Sequence, residues 1–81
     1  MFEEVRDLLC QALQLGARCG SLQPATPLLG NLPELDSMAV VTVLTSLEEH
    51  YGFTVSDDEI SADTFATLGS LVDFVEAKLA Q

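Results

Sequence analysis

Positive charge is nearly absent from this sequence. Only Arg6, Arg18 and Lys78 oppose thirteen aspartates and glutamates, giving a formal net charge of −10, and no cation lies between Cys19 and Ala77. Such a surface repels nucleic acids and anionic membranes, and it attracts proteins with basic patches. The composition alone also fits an acidic surface that only keeps a small protein soluble.

The cysteines and the acidic segments lack the spacing of metal sites. Cys10 and Cys19 form no C-x-x-C pair, and His50 is the single histidine, so no zinc site is predicted. A calcium loop starting at Asp57 would need glycine at its sixth position and glutamate at its twelfth, and it has neither. We expect no metal site and two free thiols in a reducing cytosol.

Targeting segments and long apolar runs are missing as well. The first four residues carry no cationic region of the kind that opens a signal peptide. The longest uncharged stretch, residues 19–33, is interrupted by prolines and glycines, which excludes a spanning helix. We therefore expect a cytoplasmic protein without a membrane span.

The length and the apolar content favour one small folded domain over residues 1–81. The apolar fraction is 48%, which is enough for a globular core. A domain of this size buries only ~60% of its unfolded surface, so the core is thin and leaves little room for a buried active site.

Apolar periodicity predicts the two longest helices. Residues 2–17 carry apolar side chains at three- and four-residue spacing, and Gly16 and Gly20 mark the end of this first helix. A second helix begins at Asp36-Ser37, runs to about Tyr51 and stops at Gly52. Its predicted core stripe consists of Val40, Val43, Leu44, Leu47 and Tyr51.

Two further helices complete the predicted fold. Ser56, followed by acids at 57–59, is typical of the cap and first turn of a short third helix. Thr67 can cap the last helix, whose apolar stripe is Leu68, Leu71, Val72, Val75 and Leu79. The prediction is an all-α four-helix bundle, with three main helices, one short helix and a long first loop.

The first loop, residues 19–36, contains three prolines and two glycines, so we expect no regular element there. Free in solvent, it would expose much apolar area from Leu22, Leu28, Leu29, Leu32 and Leu35. We therefore expect it to be pinned across the bundle, with some of these leucines buried.

Ser37 and His50 are the obvious candidates for a nucleophile and its base. Thirteen positions separate them on one predicted helix, which is ~20 Å along its axis. A serine nucleophile needs its base within hydrogen-bond reach. We therefore predict no catalytic residue, take His50 as a solvated residue at a helix end, and regard an enzyme as the least favoured class.

Ser37 has two interpretations. An Asp or Ser before an apolar helix is often simply an N-cap. This serine also follows a long loop and lies at the positive end of a helix, where free backbone N–H groups stabilise an attached phosphate. Lacking a base of its own, it fits a substrate that another enzyme modifies.

Three motifs follow one another along the chain: Leu-Asp-Ser-Met at 35–38, Leu-Glu-Glu-His-Tyr-Gly-Phe at 47–53 and Val-Ser-Asp-Asp-Glu-Ile at 55–60. In this order they resemble acyl carrier proteins, whose pattern is Asp-Ser-Leu, Leu-Glu-Glu-x-aromatic and an acidic third helix. The resemblance covers nearly the whole chain, and the ordered set is far more specific than Asp-Ser-Met alone.

The resemblance implies 4′-phosphopantetheine attached to Ser37, transferred from coenzyme A by a phosphopantetheinyl transferase with magnesium. The distal thiol of the arm would hold acyl groups as thioesters. Asp36 would help to orient the metal and the basic groups of the transferase. The implied protein is a monomer that serves acyl-loading and acyl-accepting enzymes with basic patches.

Met38, Val41, Thr45 and Glu48 share one helix face beside the serine, and with the neighbouring Glu49 they are the candidates for partner recognition. For Met38 and Val41 ordinary helix packing is the alternative. The family often has acids at the positions of Ala39 and Thr42, and no charge lies between Ser37 and Leu47. This departure favours a specialised carrier with few dedicated partners.

The segment Pro-Leu-Leu-Gly at 27–30 and the apolar second helix resemble carriers from bacterial exosortase or exopolysaccharide gene clusters. Two alternatives stay open. One is a peptidyl or aminoacyl carrier, which tends to have Gly-Gly-x-Ser where this chain has Glu-Leu-Asp-Ser. The other is an acidic helical interaction module that never uses Ser37.

Overall fold

Three α-helices make up most of the fold. The computed structural model describes residues 1–28, 30 and 35–80, without the side chain of Asp57. The α-helices are α1 (Phe2–Leu13), α2 (Ser37–Tyr51) and α3 (Leu68–Leu79), and shorter 3-10 segments span Gly16–Ser21, Asp57–Glu59 and Ala62–Phe65. The all-α prediction with three main helices is confirmed. No helix in the described part is long and apolar enough to cross a membrane.

The first helix ends at Leu13 rather than near residue 17, so that predicted boundary is wrong. Gln14 adopts the left-handed conformation with φ 55°, which ends the helix, and the chain turns into the 3-10 segment Gly16–Ser21. This segment also enters the region where no regular element was expected. The turn lets both Leu15 and Leu22 reach the core.

The same turn joins the two cysteines. Cys10 and Cys19 form a disulfide with their Cα atoms 5.7 Å apart, so the expectation of two free thiols is wrong. A helix continued through residue 19 would have carried Cys19 ~13 Å along the axis from Cys10. The chain reversal after Leu13, which apolar periodicity did not indicate, brings the thiols together.

The core lies where the three α-helices meet. Val5 and Leu9 from α1 are fully buried. From the predicted stripe of α2, Val43 and Leu47 are buried, while the partly buried members packed against the core are Val40, Leu44 and Tyr51. The α3 stripe is buried at Leu68, Leu71, Val72 and Val75, but its last predicted member, Leu79, is exposed.

The first loop is pinned to the bundle, as predicted. Leu22, Leu28 and Leu35 are buried, while Leu29 and Leu32 lie outside the described residues. The prediction is therefore confirmed for the part of the loop that the structure describes.

Backbone hydrogen bonds hold this loop against the start of α3. The Leu68 N–H donates to the Thr26 carbonyl at 3.0 Å, and the Gly69 N–H donates to the Pro24 carbonyl at 2.7 Å. The first N–H groups of a helix have no intrahelical partners. The loop carbonyls therefore accept hydrogen bonds from two N–H groups at the start of α3, and both partners are hydrogen-bonded as a result.

The predicted caps have different outcomes. Thr67 caps α3 as expected, since its hydroxyl accepts from the Ser70 N–H at 3.0 Å. The predicted short third helix is present as two 3-10 turns instead of one helix. In the first turn, the Glu59 carboxylate bonds back to the Ser56 N–H at 2.7 Å.

Candidate functional site

Ser37 is the first residue of α2, and its side chain is exposed. The preceding Asp36 is the N-cap: its Oδ1 accepts from the Ala39 N–H at 2.8 Å, and its carbonyl accepts from the Val40 N–H at 2.9 Å. Asp36 therefore has the simple capping role that the sequence left open. That role does not extend to Ser37, whose hydroxyl makes no hydrogen bond to any described residue.

The electrostatics at Ser37 favour an attached anion. A helix N-terminus carries roughly half a positive charge. In the bonds to Asp36, the donors are the N–H groups of Ala39 and Val40. The side chains of α2 carry no charge from Ser37 to Leu47. A phosphodiester on the Ser37 hydroxyl would therefore meet backbone N–H groups, with Asp36 as the adjacent carboxylate in sequence.

His50 lies in the last turn of α2, at the opposite end from Ser37. Its Nε2 is 3.7 Å from Oε2 of Glu4, and its ring meets the edge of Tyr51 with centroids 4.7 Å apart. The two ends of α2 are ~20 Å apart, so Ser37 and His50 do not form a nucleophile–base pair. His50 is exposed at a helix end, as expected.

Tyr51 joins the end of α2 to the start of α1. Its hydroxyl donates to Oε2 of Glu4 at 3.1 Å. Burial, and next the hydrogen bond and negative charge of Glu4, raise the pKa of Tyr51 to about 12. The Tyr51 hydroxyl therefore stays protonated and can donate. Tyr51 and Glu4 hold the end of α2 to the start of α1, away from Ser37.

The candidate recognition face begins beside the serine. Met38 is 77% exposed and Val41 is 61% exposed, and the Thr45 side chain is also exposed. Ordinary core packing therefore does not account for Met38 or Val41. Large apolar side chains that remain in water next to a modifiable hydroxyl are suited to contacts with a partner.

The two glutamates farther along α2 differ in their surroundings. Oε2 of Glu48 accepts from the Val55 N–H at 2.7 Å, so this carboxylate is used inside the fold. Glu49 is exposed. Sequence spacing placed Glu48 on the recognition face, but gave no sign that its carboxylate holds the segment after α2.

A small cavity lies between α2 and the segment of residues 55–60. It measures about 120 Å³ and is lined by Val41, Leu44, Thr45, Glu48, Val55 and Ile60. Val41 comes one helical turn after Ser37. The sequence analysis missed Val55 and Ile60, although both are apolar residues flanking an acidic turn, a pattern that indicates contact with a neighbouring helix.

Two larger depressions lie along α1. One of about 320 Å³ borders the disulfide, and one of about 260 Å³ lies beside His50. Neither is lined by a residue from the first two turns of α2. Of these three, only the cavity of about 120 Å³ is lined by a residue within one helical turn of Ser37, namely Val41.

Comparisons with known proteins agree on one family. The family model described as "Phosphopantetheine attachment site" matches residues 3–75. The acyl carrier proteins of Tropheryma whipplei strains Twist and TW08/27 are each 30% identical over 80 residues, which is 96% of this chain and 94% of theirs. The solution NMR structure of a holo acyl carrier protein from Nitrosomonas europaea has a TM-score of 0.90 and 59% identity, covering 99% of this chain and 96% of that one.

Proposed function

The chain belongs to the acyl carrier protein family, and we propose that Ser37 is the residue that carries its covalently attached 4′-phosphopantetheine arm. The function is that of an acyl carrier, which holds acyl groups on this arm for the enzymes that handle them. The observation that supports Ser37 is its exposed hydroxyl at the positive end of α2, within the matched region.

The attachment chemistry needs only a hydroxyl from this chain. Oγ of Ser37 attacks the phosphorus bound to pantetheine in coenzyme A, the Oγ–P bond forms, and adenosine 3′,5′-bisphosphate leaves with the displaced oxygen. The hydroxyl proton goes to a base that the transferase supplies. Oδ1 of Asp36 is engaged by Ala39, which leaves its second oxygen for the metal or the basic groups of the transferase.

Partner choice is proposed to depend on the apolar start of α2. Electrostatics mainly sets the rate of encounter, whereas desolvated apolar contacts dominate the lifetime of a complex. Met38, Val41 and Thr45 offer such contacts, and the carboxylates within α2 lie only at its far end, at Glu48 and Glu49. A loading enzyme with a facing apolar patch, and with basic residues only near Glu49, would fit this surface.

The cavity beside Val41 is proposed to receive the start of the acyl chain. Its lining is mainly apolar, and it begins one turn from the attachment residue. Its volume of about 120 Å³ is well below the ~300 Å³ at which small-molecule pockets usually begin. In the observed conformation it would shelter a short chain and leave a longer one in solvent.

Mass spectrometry tests the attachment residue. Incubation with a broad-specificity phosphopantetheinyl transferase, coenzyme A and magnesium should add one phosphopantetheine to the wild-type chain. Ser37→Ala should add none, because the accepting hydroxyl is gone. Ser56→Ala is the matched control, since Ser56 is another exposed serine ahead of a turn, and it should be modified normally. Modification that persists in Ser37→Ala would refute the assignment.

A further inference from the structure

Lys78 is a nearly buried cation near the end of α3. Its side chain is only 9% exposed, and its Nζ donates to Oε1 of Glu59 at 2.7 Å. Burying an ammonium group is unfavourable unless it is paired and hydrogen-bonded. The contact joins residues nineteen positions apart, and it fastens the short turn after α2 to the last helix.

Glu59 belongs to the outer wall of the cavity, which we define as residues 55–60. Its Oε2 accepts from the Ser56 N–H at 2.7 Å, and its own N–H donates to the Ser56 carbonyl at 3.0 Å. The hydrogen bond from Lys78, followed by that from the Ser56 backbone, lowers the pKa of Glu59. The carboxylate is therefore ionised at neutral pH, and the wall is fastened to α3 as one unit.

The outer wall has few other attachments. Val55 is held to α2 through the Glu48 carboxylate, and Ile60 packs partly against the core. Among the described residues, no hydrogen bond between backbone groups joins the outer wall to a helix. Segments with few anchoring contacts open at a lower free energy than the core. Each remaining contact therefore has a large effect on the position of the outer wall.

We propose that the Lys78–Glu59 ion pair is a latch that limits the length of acyl chain the cavity accepts. The inference rests on the proposed attachment at Ser37 and cargo cavity beside Val41. A chain larger than about 120 Å³ can enter only if the outer wall moves away from α2, and the latch opposes any shift of Glu59 from Lys78. Lys78 is thus a positioning residue that selects short chains without touching the arm.

Thioester cleavage measures this selection. The carrier is loaded at Ser37 with butyryl- or dodecanoyl-phosphopantetheine, and the rate of thioester cleavage by hydroxylamine is followed by mass spectrometry. Lys78→Met keeps the length of the side chain but removes the latch. The ratio of dodecanoyl to butyryl cleavage rates should fall about two- to fivefold, the range for loss of a partly exposed ion pair.

Two variants control for charge and fold. Lys78→Arg keeps a cation at the latch and should retain most of the wild-type preference. Arg6→Met removes one positive charge from α1, where it pairs with Asp7, and should leave the cleavage ratio unchanged. The Ile60 methyl resonances should shift on dodecanoyl loading in Lys78→Met far more than in the wild type, a readout that a purely structural role would not predict.

The outcomes separate the latch from the attachment. If Ser37 takes no arm at all, the proposed attachment fails. If Ser37 is loaded but Lys78→Met keeps the wild-type cleavage ratio, the latch is wrong. Should Lys78→Met fail to fold, Glu59→Gln weakens the same pair with little change of shape, and it must lower the ratio in the same direction or the latch is equally refuted.

Discussion

The absence of a side chain at Gly69 decides how closely the first loop approaches α3. A Cβ built at this position would lie 2.9 Å from the Pro24 carbonyl oxygen, the atom that accepts the Gly69 N–H at 2.7 Å. Glycine inside a helix is ~1 kcal/mol less favourable than alanine. The close backbone contact accounts for its presence, because it holds the loop that leads to Ser37.

At this residue scale, Gly69→Ala should lower the free energy of unfolding by about 1–3 kcal/mol. The added methyl pushes the Pro24 carbonyl away, and this outweighs the gain in helix propensity. Urea denaturation measures the effect. Gly20→Ala is the control, because a Cβ there meets nothing within 4 Å. A Gly69→Ala variant as stable as the wild type would show that the loop can move away from α3 without any loss of stability.

At the scale of the element, α2 combines a binding surface with a core helix. Its exposed residues Met38 and Val41 follow Ser37, the proposed attachment residue, while Val43 and Leu47 face the core. The helix stops at Gly52, whose φ of 77° favours glycine. One amphipathic helix thereby places the Ser37 hydroxyl, the proposed attachment point, and the candidate recognition residues on a rigid support.

Met38→Ala should lower kcat/KM for acyl loading by about tenfold, as expected for an exposed apolar residue that becomes desolvated at the centre of an interface. Glu49→Gln, at the far end of the same helix, should change it by no more than about twofold at physiological salt. The measurement uses holo-carrier as the variable substrate of an enzyme that loads the wild type. A larger loss for Glu49→Gln would show that electrostatics dominates recognition.

At the scale of the whole molecule, charge repulsion opposes folding. Lys78 pairs with Glu59 and Arg6 pairs with Asp7, but three lysine and arginine residues cannot neutralise thirteen carboxylates. Excess charge of one sign destabilises the compact state. The Cys10–Cys19 disulfide acts in the other direction, because a covalent link restricts the unfolded chain.

Sodium chloride should therefore raise the melting temperature. Going from about 10 mM to 0.15 M shortens the Debye length from about 30 Å to about 8 Å, and relief of ~1 kcal/mol corresponds to roughly 4–8 °C in a domain of this size. Thermal denaturation followed by circular dichroism gives the slope. Glu76→Gln, which removes an exposed carboxylate, should flatten it. A melting temperature that stays constant or falls with salt would contradict the repulsion argument.

The sequence alone determined the features that depend on neighbours within a few residues. The bounds of α2, the N-cap at Asp36 and the cap at Thr67 arise from contacts three or four positions apart. The candidate attachment residue Ser37 was found for the same reason, because its motif and its helix start are both local. The apolar stripes of α2 and α3 also predicted part of the core, namely Val43, Leu47, Leu68, Leu71, Val72 and Val75.

Tertiary structure alone decided the contacts between distant residues. The end of α1, the disulfide, the bond from Val55 to Glu48 and the latch from Lys78 to Glu59 all depend on how segments fold back on one another. An apolar pattern records which face of a helix is buried, but it carries no information on which polar groups meet after packing. The arrangement of the cavity beside Val41 therefore depends on how the helices pack.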